Sequence, residues 1–192
     1  MELQGERLIA ASIETTWAAL NDPLVLKDCI AGCESLERTS PDTMTAVVAL
    51  KVGPVSARFK GNLSMSNVQP PHSYTLIFDG QGGVAGFGKG AADVGLSAQG
   101  PAQTRLTYSA RASVGGKMAQ VGSRLIDATA AKITEDFFKA FEARLLASGT
   151  PVAQASAPLA SARTAGGADG VAKVWWLIGA LVAAAVVYFW VR

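Results

Sequence analysis

Histidine is nearly missing from this 192-residue chain. His72 is the only one. It follows Pro70 and Pro71, and nothing around it completes a hydrolytic triad or a pair of imidazole metal ligands. The expectation is a solvated turn residue. Cysteine is scarce too. Cys29 and Cys33 lie four residues apart, a spacing that puts two side chains on one face if the segment is helical. A disulfide between them would close a very short loop, and two thiols alone hold neither zinc nor an iron–sulfur cluster, so they read as free thiols of a reducing compartment. Charge of either sign is not in excess. Residues 1–150 carry 14 Lys and Arg against 14 Asp and Glu, which leaves no electrostatic footprint for nucleic acid. Carboxylate pairs are missing from the apolar faces, and the adjacent Glu135 and Asp136 fall off the helical stripe and read as a solvated face. No acid, base, nucleophile or metal set emerges, so no catalytic residue is assigned and an enzyme is not expected. The first residues lack the basic start and long apolar core of a secretory signal, which predicts a domain that stays in the cytoplasm.

Long hydrophobic runs are absent until the end. There, residues 174–191 form eighteen positions without a charge. A helix of that length covers roughly 27 Å, close to the ~30 Å hydrocarbon layer. Val174, Trp175, Trp176 and Leu177 open the run, and Tyr188 and Trp190 lie near its end, where amphipathic rings favour the membrane interface. Lys173 and Arg192 bracket it and can snorkel to the two surfaces. A buried core helix or a partner-binding helix would need a polar face or a wrapping of protein, and the run has neither. The prediction is a single membrane anchor over residues 173–192, with the domain on the cytoplasmic side of the cytoplasmic membrane. Residues 149–172, rich in Ala, Gly, Ser, Thr and Pro without apolar period, read as a disordered linker with a reach of roughly 25 Å.

Residues 1–148 read as one α+β domain. A strand over 2–11 leads to Ser12, a helix cap, with Ile13, Trp17 and Leu20 on one helical face. Asn21-Asp22-Pro23 ends that helix and starts a second short one, which Gly32 breaks. Period two then takes over, most clearly at 55–66, where apolar or Gly residues alternate with polar ones. Further strands are predicted at 43–52, 74–78, 91–98 and 104–114. Residues 117–147 return to helical spacing and predict one long helix with an apolar stripe. That order gives a curved antiparallel sheet around a long C-terminal helix, the helix-grip layout. Ala57, Gly61, Ala92, Ala98, Ala110 and Ala112 are small on the dry face, which points either to a cavity or to a very close helix approach. Phe59, Leu63, Phe78, Phe87, Tyr108, Ile126, Ile133 and Phe137 are the candidate wall of that cavity, with Phe87 at a glycine-flexed mouth.

Gly83 to Gly90 comes one residue from a phosphate-binding P-loop, but Gly90 stands where Ser or Thr should hold Mg²⁺, and a strand follows where a helix is needed. It reads as a flexible turn.

Asp22-Pro23, the segment Cys29-Ile30-Ala31-Gly32-Cys33-Glu34-Ser35-Leu36, the glycine run 82–90 and Phe137-Phe138 together resemble the G-subunit family of carbon monoxide dehydrogenase over about residues 1–147. Ala31 stands where that family usually has Pro. The resemblance implies a START/Bet v 1-like fold with a cavity for hydrophobic molecules. It also implies an accessory role beside a molybdenum hydroxylase of the carbon monoxide dehydrogenase type, which the protein recruits to the cytoplasmic membrane. No covalent cofactor is implied. The expected ligand is a membrane-derived hydrophobic molecule, a respiratory quinone before a lipid. The alternatives are a ligand-free docking adaptor and a cavity enzyme of the polyketide cyclase type.

Overall fold

The computed structural model describes residues 1–148; the predicted linker and anchor lie outside the described residues. The chain begins with β1 (Glu2–Ile9), followed by α1 (Ile13–Leu20) and α2 (Pro23–Cys29). Six strands follow: β2 (Cys33–Ser40), β3 (Thr43–Val52), β4 (Val55–Gln69), β5 (Ser73–Gln81), β6 (Phe87–Gly100) and β7 (Gln103–Gly115). The domain closes with α3 (Ser123–Ser148). All strand pairs are antiparallel, in the order β1-β7-β6-β5-β4-β3-β2. No helix among the described residues is long and apolar enough to cross a membrane.

Local chemistry explains the helix starts. Ser12 accepts from the Thr15 backbone N–H at 3.2 Å, and Asp22 accepts from that of Leu24 at 2.8 Å with Pro23 in the first turn. Both satisfy amide donors that a helix start leaves without partners. In β4 the alternation read from the sequence is the alternation of burial from Val55 to Leu63.

Three elements differ from expectation. β2 has no apolar alternation because it is an edge strand in which only Leu36 is buried. Cys33 opens that strand while Cys29 closes α2, so the two thiols do not share a helix face; both are free. The long helix begins at Ser123, not at 117. Residues Gly116–Val121 form a 3-10 turn, and Gly122 at φ +94° ends it in a backbone conformation that side-chain-bearing residues rarely adopt. Met118, part of the apparent helical stripe, is buried by that turn instead.

The packed core sits at one end of the domain. Ile9, Ile13, Leu20, Cys29, Leu96, Leu106, Phe138, Phe141 and Leu145 bring together α1, α2, the C-terminal half of α3 and the adjoining ends of β1, β6 and β7. A smaller cluster of Leu36, Met44 and Ala46 lies under α2. Within the main core, the Thr16 hydroxyl is fully buried and finds no hydrogen-bond partner among the described residues. Thr16→Val, which keeps the shape and removes the stranded hydroxyl, should stabilise the domain by about 1 kcal/mol, read as a raised urea midpoint with an unchanged slope.

Tyr74 is inward on β5, and its ring meets that of Trp17 edge-on at 5.6 Å. Burial pushes its phenol up to about 12. The neutral phenol is the form the core accepts. Its contribution is therefore complete below pH 10, the value of the free phenol, and is lost as pH rises toward 12. About 3 kcal/mol of stability should disappear across that window, and Tyr74→Phe should flatten the decline in urea titrations between pH 9 and 12.

Candidate functional site

Register assigns every strand residue to one of two faces. Leu3, Gly5, Arg7 and Ile9 of β1 pair with Ala110, Tyr108, Leu106 and Thr104 of β7. Continuing across the ladder, Ala110 pairs with Ala92, Ala92 with Leu76, Leu76 with Met65, and Leu63 with Phe78 and Met44. Tyr108 packs on Phe138 of α3 with ring centroids 5.4 Å apart, so this is the concave face, turned toward the helix. It is apolar from strand to strand, broken by few polar side chains.

The helix does not seal it. At its start, Leu125 reaches the β3–β4 turn at Gly53, and from Phe138 onward α3 is locked into the core. Between them the first fifteen residues, from Ser123 to Phe137, include none that is buried. The inward residues of the sheet opposite, among them Leu76, Phe78, Ala92, Ala110 and Ala112, are also only half-buried. Interiors are normally close-packed, so half-buried apolar residues on both facing surfaces mark a hollow. At the β3–β4 end an open cleft of about 380 Å³ is lined by Pro54, Val55, Lys117, Gln120, Val121 and Leu125. Val55 belongs to the concave face, so this cleft adjoins the hollow's end.

Three of the inward aromatics share one habit: each leans sideways over a glycine on the neighbouring strand or turn. Tyr108 occupies the space a side chain on Gly5 would need, Phe78 does so at Gly90, and Phe59 at Gly82. Rings placed this way lie along the sheet toward the neighbouring strand or turn.

Of the eight candidate wall residues, Phe59, Leu63, Phe78 and Tyr108 lie on the concave face, and Ile126, Ile133 and Phe137 are half-buried on α3. Phe137 stacks on Phe141, with centroids 5.8 Å apart. Phe87 is not brought to this face. Its register opposite Gly115 puts it with Lys89 and Asp93 on the outer face, 39% exposed and covering Gly115. The reason is Gly86, at φ +113°, where an added Cβ would overlap the Gly115 carbonyl. That glycine restarts the chain as a strand and sets Phe87 at an odd, outward position.

Two residues of the helix–sheet approach escaped the sequence reading. Arg7, on β1, is inward, forms an ion pair with Glu135 of α3, and lies over the Phe138 ring at 5.5 Å. Glu135, expected on a solvated face, is instead tied across to the sheet, with its side chain still 43% exposed. The available signal was parity: Arg7 alternates in step with Leu3 and Ile9. Elsewhere the chemistry is quiet. His72 is exposed, and no cluster of metal-ligating residues occurs among the described residues. Burial pushes the thiols of Cys29 and Cys33 up, which keeps both in the weakly reactive protonated form at neutral pH.

Comparison with known proteins agrees with this architecture. The family model described as the carbon monoxide dehydrogenase G subunit (CoxG) matches residues 5–146. Among solved structures, a conserved protein from Geobacillus kaustophilus is 30% identical, with a TM-score of 0.72 over 77% of this chain and 97% of its own. A START superfamily protein from Mycobacterium smegmatis is 16% identical with a TM-score of 0.60, covering 77% of this chain and 99% of its own. The Zhui aromatase/cyclase from a Streptomyces species is 10% identical with a TM-score of 0.58, covering 76% and 93%. At such identities the last two share the fold alone. No curated protein matches the sequence.

Proposed function

The chain belongs to the CoxG family of carbon monoxide dehydrogenase, and on that premise we propose that it is a membrane-tethered accessory protein that holds a hydrophobic molecule between α3 and the concave sheet. The carrying observation is the run of half-buried apolar residues on both facing surfaces, the first half of α3 and the sheet opposite, with aromatics on the sheet that lean over glycines. An apolar hollow of this kind gains from removing a hydrocarbon surface from water, at roughly 25 cal/mol per Å². A respiratory quinone is the ligand that best joins the family tie to a redox enzyme with an apolar site. The hydrophobic run at 174–191 keeps the domain at the cytoplasmic membrane, and the domain recruits a molybdenum hydroxylase of the carbon monoxide dehydrogenase type to its electron acceptor. A ligand-free docking adaptor is the reading left standing if the hollow proves empty in the cell.

The tether and the recruitment are tested by fractionation. Ending the chain at residue 172 should move both this protein and the hydroxylase from the membrane pellet to the supernatant. A truncated chain that stays with the membrane, or a hydroxylase that sediments regardless of this protein, contradicts the recruitment role.

A further inference from the structure

On the concave face, polar atoms gather in one place. Arg7 and Gly5 are successive inward residues of β1, and the Tyr108 hydroxyl lies over Gly5, on the same face of the sheet as the arginine. Phe138 underlies both, with the Arg7 guanidinium 5.5 Å from its centroid and the Tyr108 ring at 5.4 Å. Glu135 holds the guanidinium through the terminal nitrogen Nη2. That leaves Nε, which is buried and without an acceptor among the described residues. A buried N–H left unpaired costs about 1–3 kcal/mol, more when it belongs to a charged group. Such a donor at the edge of an apolar hollow has the geometry of a head-group site.

We propose that Arg7 Nε and the Tyr108 hydroxyl together bind the oxygen of a neutral, carbonyl-headed hydrophobic ligand, an inference that rests on the hollow being a binding site and adds the chemistry of its polar end. Neutrality follows from the charges present. Glu135 already balances Arg7, and its other partner, Lys139 at 3.7 Å, is 70% exposed and screened by solvent. A carboxylate brought to Nε would meet Glu135 as a like charge in a partly desolvated place. A ketone, quinone or ester oxygen accepts the N–H without that penalty. The apolar remainder of the ligand then runs along the floor toward Ala110 and Ala92.

Titration of the full-length protein in detergent micelles, read by native mass spectrometry, tests this with three probes: decylubiquinone, palmitate and hexadecane. Micelle partitioning is common to all variants, so ratios between variants isolate the site. Arg7→Met keeps the apolar stem and removes the donors. It should weaken decylubiquinone by about 10- to 100-fold, the worth of one hydrogen bond from a charged donor, and leave hexadecane unchanged. Tyr108→Phe, which disturbs no ion pair, should weaken decylubiquinone by about 2- to 10-fold. Palmitate should bind the wild type less well than decylubiquinone, and Glu135→Gln should narrow that gap. The double variant Arg7→Met/Glu135→Gln removes the stranded carboxylate if the single variant folds poorly. Equal decylubiquinone affinity in wild type, Arg7→Met and Tyr108→Phe, with hexadecane still retained, overturns the head-group site and leaves the hollow intact. Failure of the wild type to retain either decylubiquinone or hexadecane overturns the binding reading itself.

Discussion

Phe141→Ala is expected to remove about 3–5 kcal/mol of stability, the usual range for truncating a fully buried phenylalanine. Phe141 is 0% exposed and stands where α3 meets α1, α2 and the ends of β1, β6 and β7. Its ring stacks on Phe137, and Phe137 in turn meets Phe138 edge-on at 5.3 Å. The loss combines transfer of the ring to water with a cavity that the surrounding elements cannot close. Since a domain of this size is held by about 5–15 kcal/mol in total, the variant should sit near the edge of unfolding at 25 °C. Urea denaturation followed by circular dichroism measures it directly. Phe59→Ala is the internal contrast. That ring is half-buried on the floor of the hollow, so its removal should cost well under half as much. Equal losses at the two positions would mean that the hollow is in fact filled.

Ala92→Phe carries the second large effect, on binding. Ala92 lies inward at the centre of the sheet, flanked by Leu76 and Ala110. In a close-packed interior the added ring would force strain costing about 1–3 kcal/mol. Above an unfilled hollow it has room, so stability should change by less than about 0.5 kcal/mol, as at a site with no tight neighbours. The ring would occupy the volume the ligand needs, and retention of a hydrophobic probe should fall by about a hundredfold, on the scale of an overpacking clash of ~3 kcal/mol. A stable variant that binds as before would place the ligand elsewhere. An unstable one would show that α3 packs the sheet closely.

Much of this architecture is legible in the residues, and the exceptions have physical causes. Strand β4, the Ser12 cap and the helix start at Asn21-Asp22-Pro23 read directly, because one wet and one dry face impose period two and helix starts favour a side-chain acceptor or a proline in the first turn. β2 does not, since an edge strand burying only Leu36 has no pattern to reveal. The segment before Ser123 misleads because Met118 continues a helical period by coincidence while Gly122 turns the backbone away. The floor residues Phe59, Leu63, Phe78 and Tyr108 follow from parity alone. Phe87 does not, because its parity is set by Gly86 and not by any periodicity upstream of that turn. Arg7 and Glu135 show a further limit. Each looks like a solvated charge by itself, and only the approach of α3 to β1 makes them a pair.

The central claim is that the hollow under α3 carries a hydrophobic molecule in the cell. Its most direct test is mass spectrometry of solvent extracts from the full-length protein, purified out of native membranes and washed free of bulk lipid, with Ala92→Phe prepared in parallel. A stoichiometric carbonyl-headed hydrophobe, a quinone foremost, recovered from the wild type and lost from the variant is the predicted result. Empty extracts from folded wild-type protein would contradict it and leave a docking adaptor with no cargo.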